Sequence, residues 1–570
     1  MHNLMKPASP RQSEQPAETP MAQSLSPEAY RLFQETINHH QAKRFQQAEA
    51  GYDQILNQFP AHPDSLHLRG LLAYQQGDYP LALSLIQQAI ALDKRQPHYF
   101  FNHALVMEKE ERWEEAIAAY QNAIQLKPHY VEAWSNIGNV YRRQRQWTKA
   151  IGAYEEARTL KPQSADLLNN LGVVYKEKGD LDLALAQYQR ATHLSPQHAE
   201  AHHNMGVVLK EQGKLNEAAT AFQQALTIKP HYPNAHYHLG LIWLWQQRTT
   251  DALACFTRSA DLTYNQGQGM APPFVTKARI KHDAEQLAYL VSHAPSVTFP
   301  KDYQETLQTT LVRSNQQTSD SIFVQLTPQE RIALAPSFHN IMSIRPTDVV
   351  AETAVNPDLD VDAIEAQYFS TRPEAMFIDS LLTQEALTAL RAFCLESTIW
   401  KRDYQNGYIG TFLANGFACP LLLQVAEELR NRFPRIFQHH QLVQAWAFKH
   451  DSALRGLNMH ADAAAVNVNF WITPNDANRN SENGGLVVWD KEAPDDWDFA
   501  EYNNDKNRYK IQEFLEQNGA KPITIPHRQN RAVIFNSNLF HETDVIDFHD
   551  TYESRRINVT LLYGHRQRSR

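Results

Sequence analysis

The sequence predicts a multidomain protein in which an all-α superhelix of repeats is followed by an α+β domain of the β-sandwich or jelly-roll type. The chain has 570 residues, which is too long for a single hydrophobic core. Helical patterns recur with a fixed step through the N-terminal half. In the C-terminal third, helical segments come first and many short strand-like segments follow, an order that favours a sheet supported by helices.

Composition excludes several classes of function. The net charge is -9 and there is no long basic run, which argues against a dedicated nucleic-acid binder. The three cysteines, Cys255, Cys394 and Cys419, form no CxxC motif, which excludes a disulfide framework and suits a reducing compartment. No apolar run approaches the roughly 18 residues of a membrane span. Residues 1–28 lack an apolar signal core and are predicted to be a disordered tail. We therefore expect a soluble cytoplasmic protein that binds neither nucleic acid nor membrane.

The repeat array is predicted over residues 29–266 as about seven units with a period of 34 residues. The positions that recur most clearly are Gly138, Gly172 and Gly206; Ala150, Ala184 and Ala218; and Pro162, Pro196 and Pro230. This pattern strongly resembles the tetratricopeptide repeat (TPR), since six or more positions keep the same phase. The resemblance implies an all-α TPR superhelix, in which diverged end units are expected as caps. The small residues let paired helices approach closely, so we assign their periodicity to the core.

One recurrent residue is not explained by core packing. The sixth position of successive units is Asn102, Asn136, Asn170 and Asn204. An amide both donates and accepts, so it can pair with a peptide group. The row resembles the asparagine ladder in the TPR groove of protein O-GlcNAc transferases, which implies a protein or peptide ligand held by its backbone. Alternatively, these amides cap or bridge neighbouring helices. The Lys/Arg clamp of TPR domains that bind chaperone tails is not evident, which disfavours capture of a C-terminal carboxylate.

Residues 267–374 are predicted to be a connector that is partly helical and partly irregular. The stretch "GQGMAPPF" interrupts the helical pattern. Residues 276–293 then show helical apolar spacing, and we expect this helix to pack on the end of the array. The pattern is weak from 294 to 374.

Residues 375–570 form the predicted sheet domain. A short strand from Ala375 is followed by a helix with Thr383 as its candidate N-cap, and residues 421–433 form a second amphipathic helix. The later segments alternate as strands do: "LVQAWAFKH", "AVNVNFWIT", "GGLVVWD", "PITIP", "RAVIFNS" and "RRINVTLLYG".

A His-x-Asp motif, His460 and Asp462, precedes one of these strands, and residues two apart in a strand share a face. A third ligand is predicted at His541, at the end of a later strand; His549 is an alternative. Two histidines and one carboxylate leave three coordination positions open, as in non-haem Fe(II) oxygenases. The same ligands are compatible with zinc hydrolysis.

The surrounding motifs favour an oxygenase. "FNSNLFHET" resembles the F-x-S-x-x-x-H stretch of 2-oxoglutarate- and Fe(II)-dependent oxygenases, and "GGLVVWD" resembles the Gly-Gly turn of that superfamily. The resemblance covers about Ala375 to Arg566. It implies a double-stranded β-helix (jelly roll) in which His460, Asp462 and His541 bind Fe(II), with 2-oxoglutarate and O₂ as cosubstrates. Prolyl hydroxylases are similar to this domain and some carry TPR modules, which implies hydroxylation of a protein.

The superfamily also places an arginine for 2-oxoglutarate on a strand after the distal histidine. Arg suits a carboxylate because its guanidinium forms two parallel hydrogen bonds. In "RRINVTLLYG", Arg556 shares a polar face with Asn558 and Thr560, whereas Arg555 shares an apolar face. Strand parity therefore predicts Arg556 as the cosubstrate anchor. The alternative is that both arginines are surface charges.

Two asparagines that follow the His-x-Asp motif, Asn467 and Asn469, alternate with apolar residues. We predict that they face the interior with Asn558 and bind 2-oxoglutarate, a carboxylate outside the set of metal ligands, or substrate; alternatively they pair with loop backbone. The predicted function is a 2-oxoglutarate- and Fe(II)-dependent dioxygenase acting on a protein held in the TPR groove. The alternatives are an interaction scaffold with an inactive barrel and an oxygenase of a small molecule.

Overall fold

The computed structural model describes residues 24–265, 269–316, 321–437, 439–452, 459–494, 496–497, 502–503 and 507–566. Most of the predicted disordered tail, residues 1–23, lies outside the described residues. The first helix begins at Pro27, so the last two residues of the predicted tail are helical. Among the described residues, no helix is both long and apolar enough to cross a membrane.

The N-terminal half consists of consecutive helices joined by short turns. They are α1 (Pro27–Gln41), α2 (Phe45–Gln58), α3 (Pro63–Gln76), α4 (Tyr79–Leu92), α5 (Pro97–Lys109), α6 (Trp113–Leu126), α7 (Val131–Arg143), α8 (Trp147–Leu160), α9 (Ala165–Lys178), α10 (Leu181–Leu194), α11 (Ala199–Glu211), α12 (Leu215–Ile228), α13 (Pro233–Trp245) and α14 (Thr249–Tyr264). Polar caps start several of them: Ser26 accepts from the backbone N–H of Ala29, and Asp78 accepts from that of Leu81.

The recurrent glycines allow paired helices to approach closely. A Cβ added at Gly138 would lie 2.9 Å from the ring of Tyr154, and one added at Gly172 would lie 2.5 Å from the ring of Tyr188. Both tyrosines are fully buried. The prediction that the small residues serve the core is therefore confirmed.

The chain divides into two compact units between Ala221 and Phe222. The last repeat-like helix pair, α13 and α14, thus belongs to the second unit. Two aromatic side chains on α13 bond to one strand of that unit: the hydroxyl of Tyr237 donates to Val443 O (3.0 Å), and Nε1 of Trp245 donates to Leu442 O (2.7 Å). The end of the repeat pattern and the border of the compact units therefore differ.

The predicted connector contains regular elements. They are β1 (Phe274–Thr276), α15 (Lys277–His293), α16 (Lys301–Gln316), β2 (Phe323–Gln325), α17 (Pro328–Ala333), α18 (Ala335–His339) and α19 (Val361–Ser370). Strands β1 and β2 pair antiparallel. The expected packing of α15 on the end of the array is not among the main contacts of this helix. The helix packs mainly against α16, β1 and elements of the sheet domain. Its apolar side chains share a core with β1 and α16, and its Lys281 and Glu285 form ion pairs with the sheet domain.

The sheet domain follows. Its elements are β3 (Ala375–Ile378), α20 (Gln384–Glu396), β4 (Arg402–Asp403), β5 (Tyr408–Phe412), α21 (Pro420–Arg432), α22 (Pro434–Phe437), β6 (Leu442–His450), β7 (Val466–Trp471), β8 (Leu486–Glu492), α23 (Arg508–Gln517), β9 (Pro522–Ile525), β10 (Ala532–Asn536), β11 (Leu539–Thr543) and β12 (Ile557–Tyr563). Thr383 accepts from the backbone N–H of Ala386, so the predicted N-cap is confirmed.

The strands form two antiparallel sheets that share a core. The large sheet has the order β3-β10-β7-β12-β6-β5-β4, and the small sheet has the order β11-β8-β9. Trp471 and Phe535 of the large sheet pack with Val488 and Leu539 of the small sheet. The other face of the large sheet packs on α20 and α21. Every residue of β7 is buried, because both faces of its sheet are covered.

The glycine packing gives a stability prediction. Gly172→Ala should lower the free energy of unfolding by about 1–3 kcal/mol, since the added methyl group overlaps the Tyr188 ring. Gly152→Ala, in the interior of α8 with nothing within 4 Å of the added carbon, should raise it by about 0.5–1 kcal/mol. Urea denaturation followed by circular dichroism would compare the two variants. Equal stability changes would contradict the close approach of α9 and α10.

Candidate metal centre

Two segments that are distant in the sequence bring the three predicted ligands together. The chain leaves the large sheet at the end of β10 and enters the small sheet as β11 after only two residues, Ser537 and Asn538. His541 lies in the middle of β11 and forms an isolated antiparallel bridge with His460. The two residues exchange both backbone hydrogen bonds, at 2.8 and 3.0 Å.

This geometry differs from the predicted one in two respects. His541 lies within a strand and not at its end, because a second strand starts directly after the crossing between sheets. The His460–Asp462 segment is not a regular strand, since β7 begins only at Val466. The isolated bridge with β11, and not strand parity, therefore sets the direction of the His460 side chain.

The side chains of His460, Asp462 and His541 form a compact cluster, whose candidate ligand atoms all lie within 4.8 Å of one another. Nε2 of His541 is 3.4 Å from Oδ2 of Asp462, and Nε2 of His460 is 3.8 Å from Oδ1 of Asp462. Asp462 and His541 are buried, whereas His460 is partly exposed. The cluster is therefore accessible from the His460 side.

Neighbouring groups fix the orientation of these side chains. Nδ1 of His541 lies 3.0 Å from the carbonyl oxygen of Leu539. Since a carbonyl only accepts, Nδ1 carries a proton, and Nε2 is the nitrogen directed at the cluster. The amide of Asn467 donates to Oδ2 of Asp462 at 2.7 Å. Burial by itself would raise the pKa of the Asp462 carboxyl. The hydrogen bond and charge of His541, the charge of His460 and the Asn467 amide together hold that pKa below its usual value.

A polar cavity extends from the cluster between the two sheets. The cavity is partly open to solvent. Its lining residues are Trp446, Phe448, His460, Asp462, Asn467, Asn469, Leu486, His541, Thr543, Asn558 and Thr560. The amide nitrogen of Asn469 donates to Thr560 at 3.1 Å. The side-chain carbonyls of Asn467 and Asn469 are buried and accept no hydrogen bond within the described part of the chain. Such acceptors favour a polar ligand.

Arg556 meets this cavity through Asn558. Its side chain is 1% exposed and donates to the carbonyl oxygens of Gly484 (2.5 Å) and Gly485 (2.9 Å) and to Oδ1 of Asn558 (3.1 Å). No carboxylate of the described residues lies within 4.0 Å of the guanidinium. Burial lowers the pKa of Arg556 to about 9, only partly opposed by the charge of Asp544. An anion at this end of the cavity would therefore stabilise the charged form.

The Gly-Gly pair makes these contacts possible. Gly484 has φ +82, which is left-handed backbone that L-residues rarely adopt, and a Cβ at Gly485 would lie 1.8 Å from the carbonyl oxygen of Ile525. Only glycines let the backbone present both carbonyls to Arg556.

Arg555 points away from the cavity. Its Nε donates to Oε2 of Glu285 at 2.6 Å, and its side chain is 3% exposed. Neither arginine is a surface charge, so that alternative does not hold. The sequence did not single out His450, which lies on the cavity side of β6 with Nε2 3.2 Å from Oδ1 of Asn558. Its position two residues after Phe448 on the same strand face is the signal that could have identified it.

The recurrent asparagines of the array differ in burial. Asn102 is 1% exposed, and its amide nitrogen lies 2.8 Å from Nε2 of His67. The other three, Asn136, Asn170 and Asn204, are half-buried. The amide of Asn136 donates to the hydroxyl of Tyr120 (3.1 Å), and that of Asn204 donates to Oδ1 of Asn169 (3.0 Å). These contacts bridge neighbouring helices, as the alternative interpretation expects. Peptide binding by the row stays a prediction.

Comparison with known proteins identifies the repeats. The TPR repeat family model matches residues 109–145, 138–179, 174–213 and 208–244, and the model of anaphase-promoting complex, cyclosome, subunit 3 matches residues 41–123. The N-terminal region therefore contains TPR repeats, as predicted. A TPR scaffold supports a role in protein–protein interaction. No curated protein matches the chain.

Several solved structures are similar to part of this chain. YrrB, described as a TPR protein with an unusual peptide-binding site, is 26% identical, with 31% of this chain and 91% of that chain covered and a TM-score of 0.26. A TPR protein from Parabacteroides merdae is 17% identical over 42% of this chain and 94% of its own, with a TM-score of 0.36. The pilF protein of Pseudomonas aeruginosa is 17% identical over 35% and 91%, with a TM-score of 0.32.

The cluster geometry predicts which histidines hold a metal. His460→Ala and His541→Ala should each weaken binding of Mn(II), a stable substitute for Fe(II), by at least about a hundredfold, because each removes one of three ligands. His549→Ala should leave it unchanged, since His549 is not part of the cluster. Isothermal titration calorimetry on the full chain would measure the three affinities. Loss of Mn(II) binding in His549→Ala alone would contradict the assignment.

Proposed function

We propose that the sheet domain is a 2-oxoglutarate- and Fe(II)-dependent dioxygenase of the double-stranded β-helix type that hydroxylates a protein or peptide. One observation carries the proposal. A cluster of two histidines and one aspartate lines a polar cavity with Asn558, which bonds to a buried arginine that pairs with no carboxylate of the described residues. A metal ion and an organic anion are the two groups that would compensate these charges.

The residues present fit Fe(II). Imidazole and carboxylate are ligands that iron accepts, and three ligands from one side leave positions for a cosubstrate and O₂. Asn467 holds the Asp462 carboxylate, and Leu539 holds the His541 ring, as is usual around metal ligands. When bound, Fe(II) would supply oxidation of a C–H bond by O₂, coupled to conversion of 2-oxoglutarate to succinate and CO₂.

The protein would contribute binding and orientation. Arg556 would bind the carboxylate of 2-oxoglutarate that is remote from the metal, and Asn558 would keep the guanidinium directed into the cavity. Asn469 and Thr560 bond to each other on the cavity wall, which leaves the carbonyl of Asn469 to accept from ligand or water. Trp446 and Phe448 provide an apolar wall that limits access of water.

The TPR array would supply the substrate. Its three half-buried asparagines recur at one register, and amides pair with peptide groups regardless of most side chains. A protein bound to the array is tethered to the same chain as the iron site, which raises its local concentration there. This favours a protein substrate over a small molecule.

The cosubstrate assignment can be tested on the two adjacent arginines. Arg556→Ala should weaken 2-oxoglutarate binding by roughly 2–5 kcal/mol, because a desolvated carboxylate loses its charge partner. Arg555→Ala should weaken it much less, since Arg555 contacts Glu285 outside the cavity. The measurement is Fe(II)-dependent formation of succinate as a function of 2-oxoglutarate concentration. A larger rise of the Michaelis constant for 2-oxoglutarate in Arg555→Ala than in Arg556→Ala would show that the two faces of the strand are assigned the wrong way round. Absence of succinate formation by the wild-type chain with any captured protein would refute the proposed oxygenase activity.

The role of the array is tested separately. Replacement of Asn136, Asn170 and Asn204 together by Ala should weaken capture of a protein substrate, because each amide pair contributes about 0.5–1.5 kcal/mol. Uncoupled turnover of 2-oxoglutarate should stay nearly unchanged, since the cluster is untouched. Mass spectrometry of captured proteins, read as one added oxygen atom, would report substrate hydroxylation. Hydroxylation at the wild-type rate and apparent affinity would show that these amides only bridge helices.

A further inference from the structure

Adjacent residues at two neighbouring strand ends face opposite sides of the large sheet. Just before β12, Arg556 bonds to Asn558, which lines the cavity, whereas Arg555 bonds to Glu285 on α15. At the end of β6, His450 bonds to Asn558 on the cavity side, whereas the next residue, Asp451, bonds to α15. Each of these two short stretches of backbone therefore carries one residue on the cavity side and one charged residue that contacts α15. The two charged residues, Arg555 and Asp451, are called the anchors below.

Helix α15 binds both anchors. Oε2 of Glu285 accepts from Nε of Arg555 at 2.6 Å. Nζ of Lys281, one turn earlier, donates to Oδ1 of Asp451 at 3.0 Å and to Oδ1 of Asp550 at 2.5 Å. Arg555 also lies 3.8 Å from Asp451, so the two anchors are joined to each other. Because Arg555 and Asp451 are buried, these pairs are little screened by solvent.

The position of Arg556 depends on its backbone. Among the described residues, its guanidinium donates to two backbone carbonyls and to Asn558, and not to a carboxylate that could accept two parallel hydrogen bonds. Its own carbonyl accepts from the backbone N–H of His450 at 2.9 Å. The backbone of Arg556 is thus held in place by its neighbour Arg555 and by Asp451, the neighbour of His450, since both of these residues bond to α15.

We infer that α15 is a brace for the cosubstrate site, in which Glu285 and Lys281 position Arg556 by holding Arg555 and Asp451. This inference rests on the proposed function and adds a control element that lies outside the sheet domain. Glu285 and Lys281 are positioning residues, since neither touches the cavity. Displacement of a binding group by about 1 Å is sufficient to cause large losses in a preorganised site. Any change that loosens α15 would therefore reduce 2-oxoglutarate affinity without touching the metal ligands.

The test compares two ion pairs on the same helix. Glu285→Gln keeps the shape and one acceptor but removes the charge that holds Arg555. Arg279→Gln is the control on the same helix, because Arg279 is buried and bonds to Asp283 (2.7 Å) and to Ser337 (2.7 Å) and not to Arg555 or Asp451. The full chain is loaded with Mn(II) in the absence of O₂. Calorimetry gives the affinities for Mn(II) and 2-oxoglutarate, and thermal denaturation gives the loss of stability.

Glu285→Gln should weaken 2-oxoglutarate binding about tenfold with an unchanged affinity for Mn(II). Arg279→Gln should leave both affinities unchanged while lowering the melting temperature. Arg555→Gln should match Glu285→Gln, and the double variant should be no weaker than either single one, because both remove the same contact. Equal losses of 2-oxoglutarate affinity in Glu285→Gln and Arg279→Gln would show that α15 contributes only general stability, and would overturn the inference.

Arg556→Ala distinguishes failure of the brace from failure of the proposed cosubstrate site. If it abolishes 2-oxoglutarate binding while Glu285→Gln has no effect, the brace is refuted and the proposed cosubstrate site stands. If Arg556→Ala leaves binding intact, the cosubstrate assignment itself is wrong, and the brace falls with it. Should Arg279→Gln fail to fold, Asn518→Ala, an exposed change on the C-cap of α23, replaces it as the control.

Discussion

The large sheet is covered on both faces, and this constraint determines how the sheet domain is built. Helices α20 and α21 cover one face, so that face of β7 and β12 is apolar, with Val468, Phe470 and Val559 in the core. The small sheet covers only part of the other face, where Asn467 and Asn469 face the cavity. A buried polar face is stable only when its groups bond to one another or to a ligand. Because side chains alternate along a strand, one face of the large sheet packs on the helices. The other face, called the binding layer below, lines the cavity.

Charge is distributed unevenly in the binding layer. The carboxylate of Asp462 lies between two histidines and an amide, whereas in the described part of the chain the guanidinium of Arg556 bonds to neutral acceptors. The two charges do not pair with each other. Burial of an ion without a counterion is expensive, and a protein tolerates it mainly where a ligand completes the site. On the helical side of the same sheet the buried charges are paired. Arg555 and Lys281 form ion pairs with Glu285 and Asp451.

The repeat array follows a simpler rule. A recurrent glycine lets paired helices approach closely at a buried side chain, Tyr154 at Gly138 and Tyr188 at Gly172, and each repeat contacts its neighbours. The last pair, α13 and α14, departs from this rule. Its aromatic side chains bond to the backbone of β6 at Val443 and Leu442, so the pair serves as part of the sheet domain while keeping the repeat pattern.

The sequence by itself determined the features that depend on local periodicity. The step of 34 residues located the helical repeats, the alternation of side chains located the strands, and Thr383 marked the start of α20. Strand parity also separated Arg556 from Arg555, because successive side chains on one strand must point to opposite faces. The metal cluster was predicted only through motif resemblance, since no local rule relates His460 to His541.

The tertiary structure decided whatever depends on which distant segments meet. The crossing from β10 to β11 placed His541 inside a strand and paired it with His460. Burial of Asn102 against His67 set it apart from the other three asparagines, although the sequence treats all four alike. The sequence alone was compatible with Arg555 as a surface charge, whereas in the structure Arg555 bonds to Glu285 because α15 packs there. Periodicity is a property of neighbours along the chain, whereas burial and ion pairing are properties of neighbours in space, and only the packed structure specifies the second set.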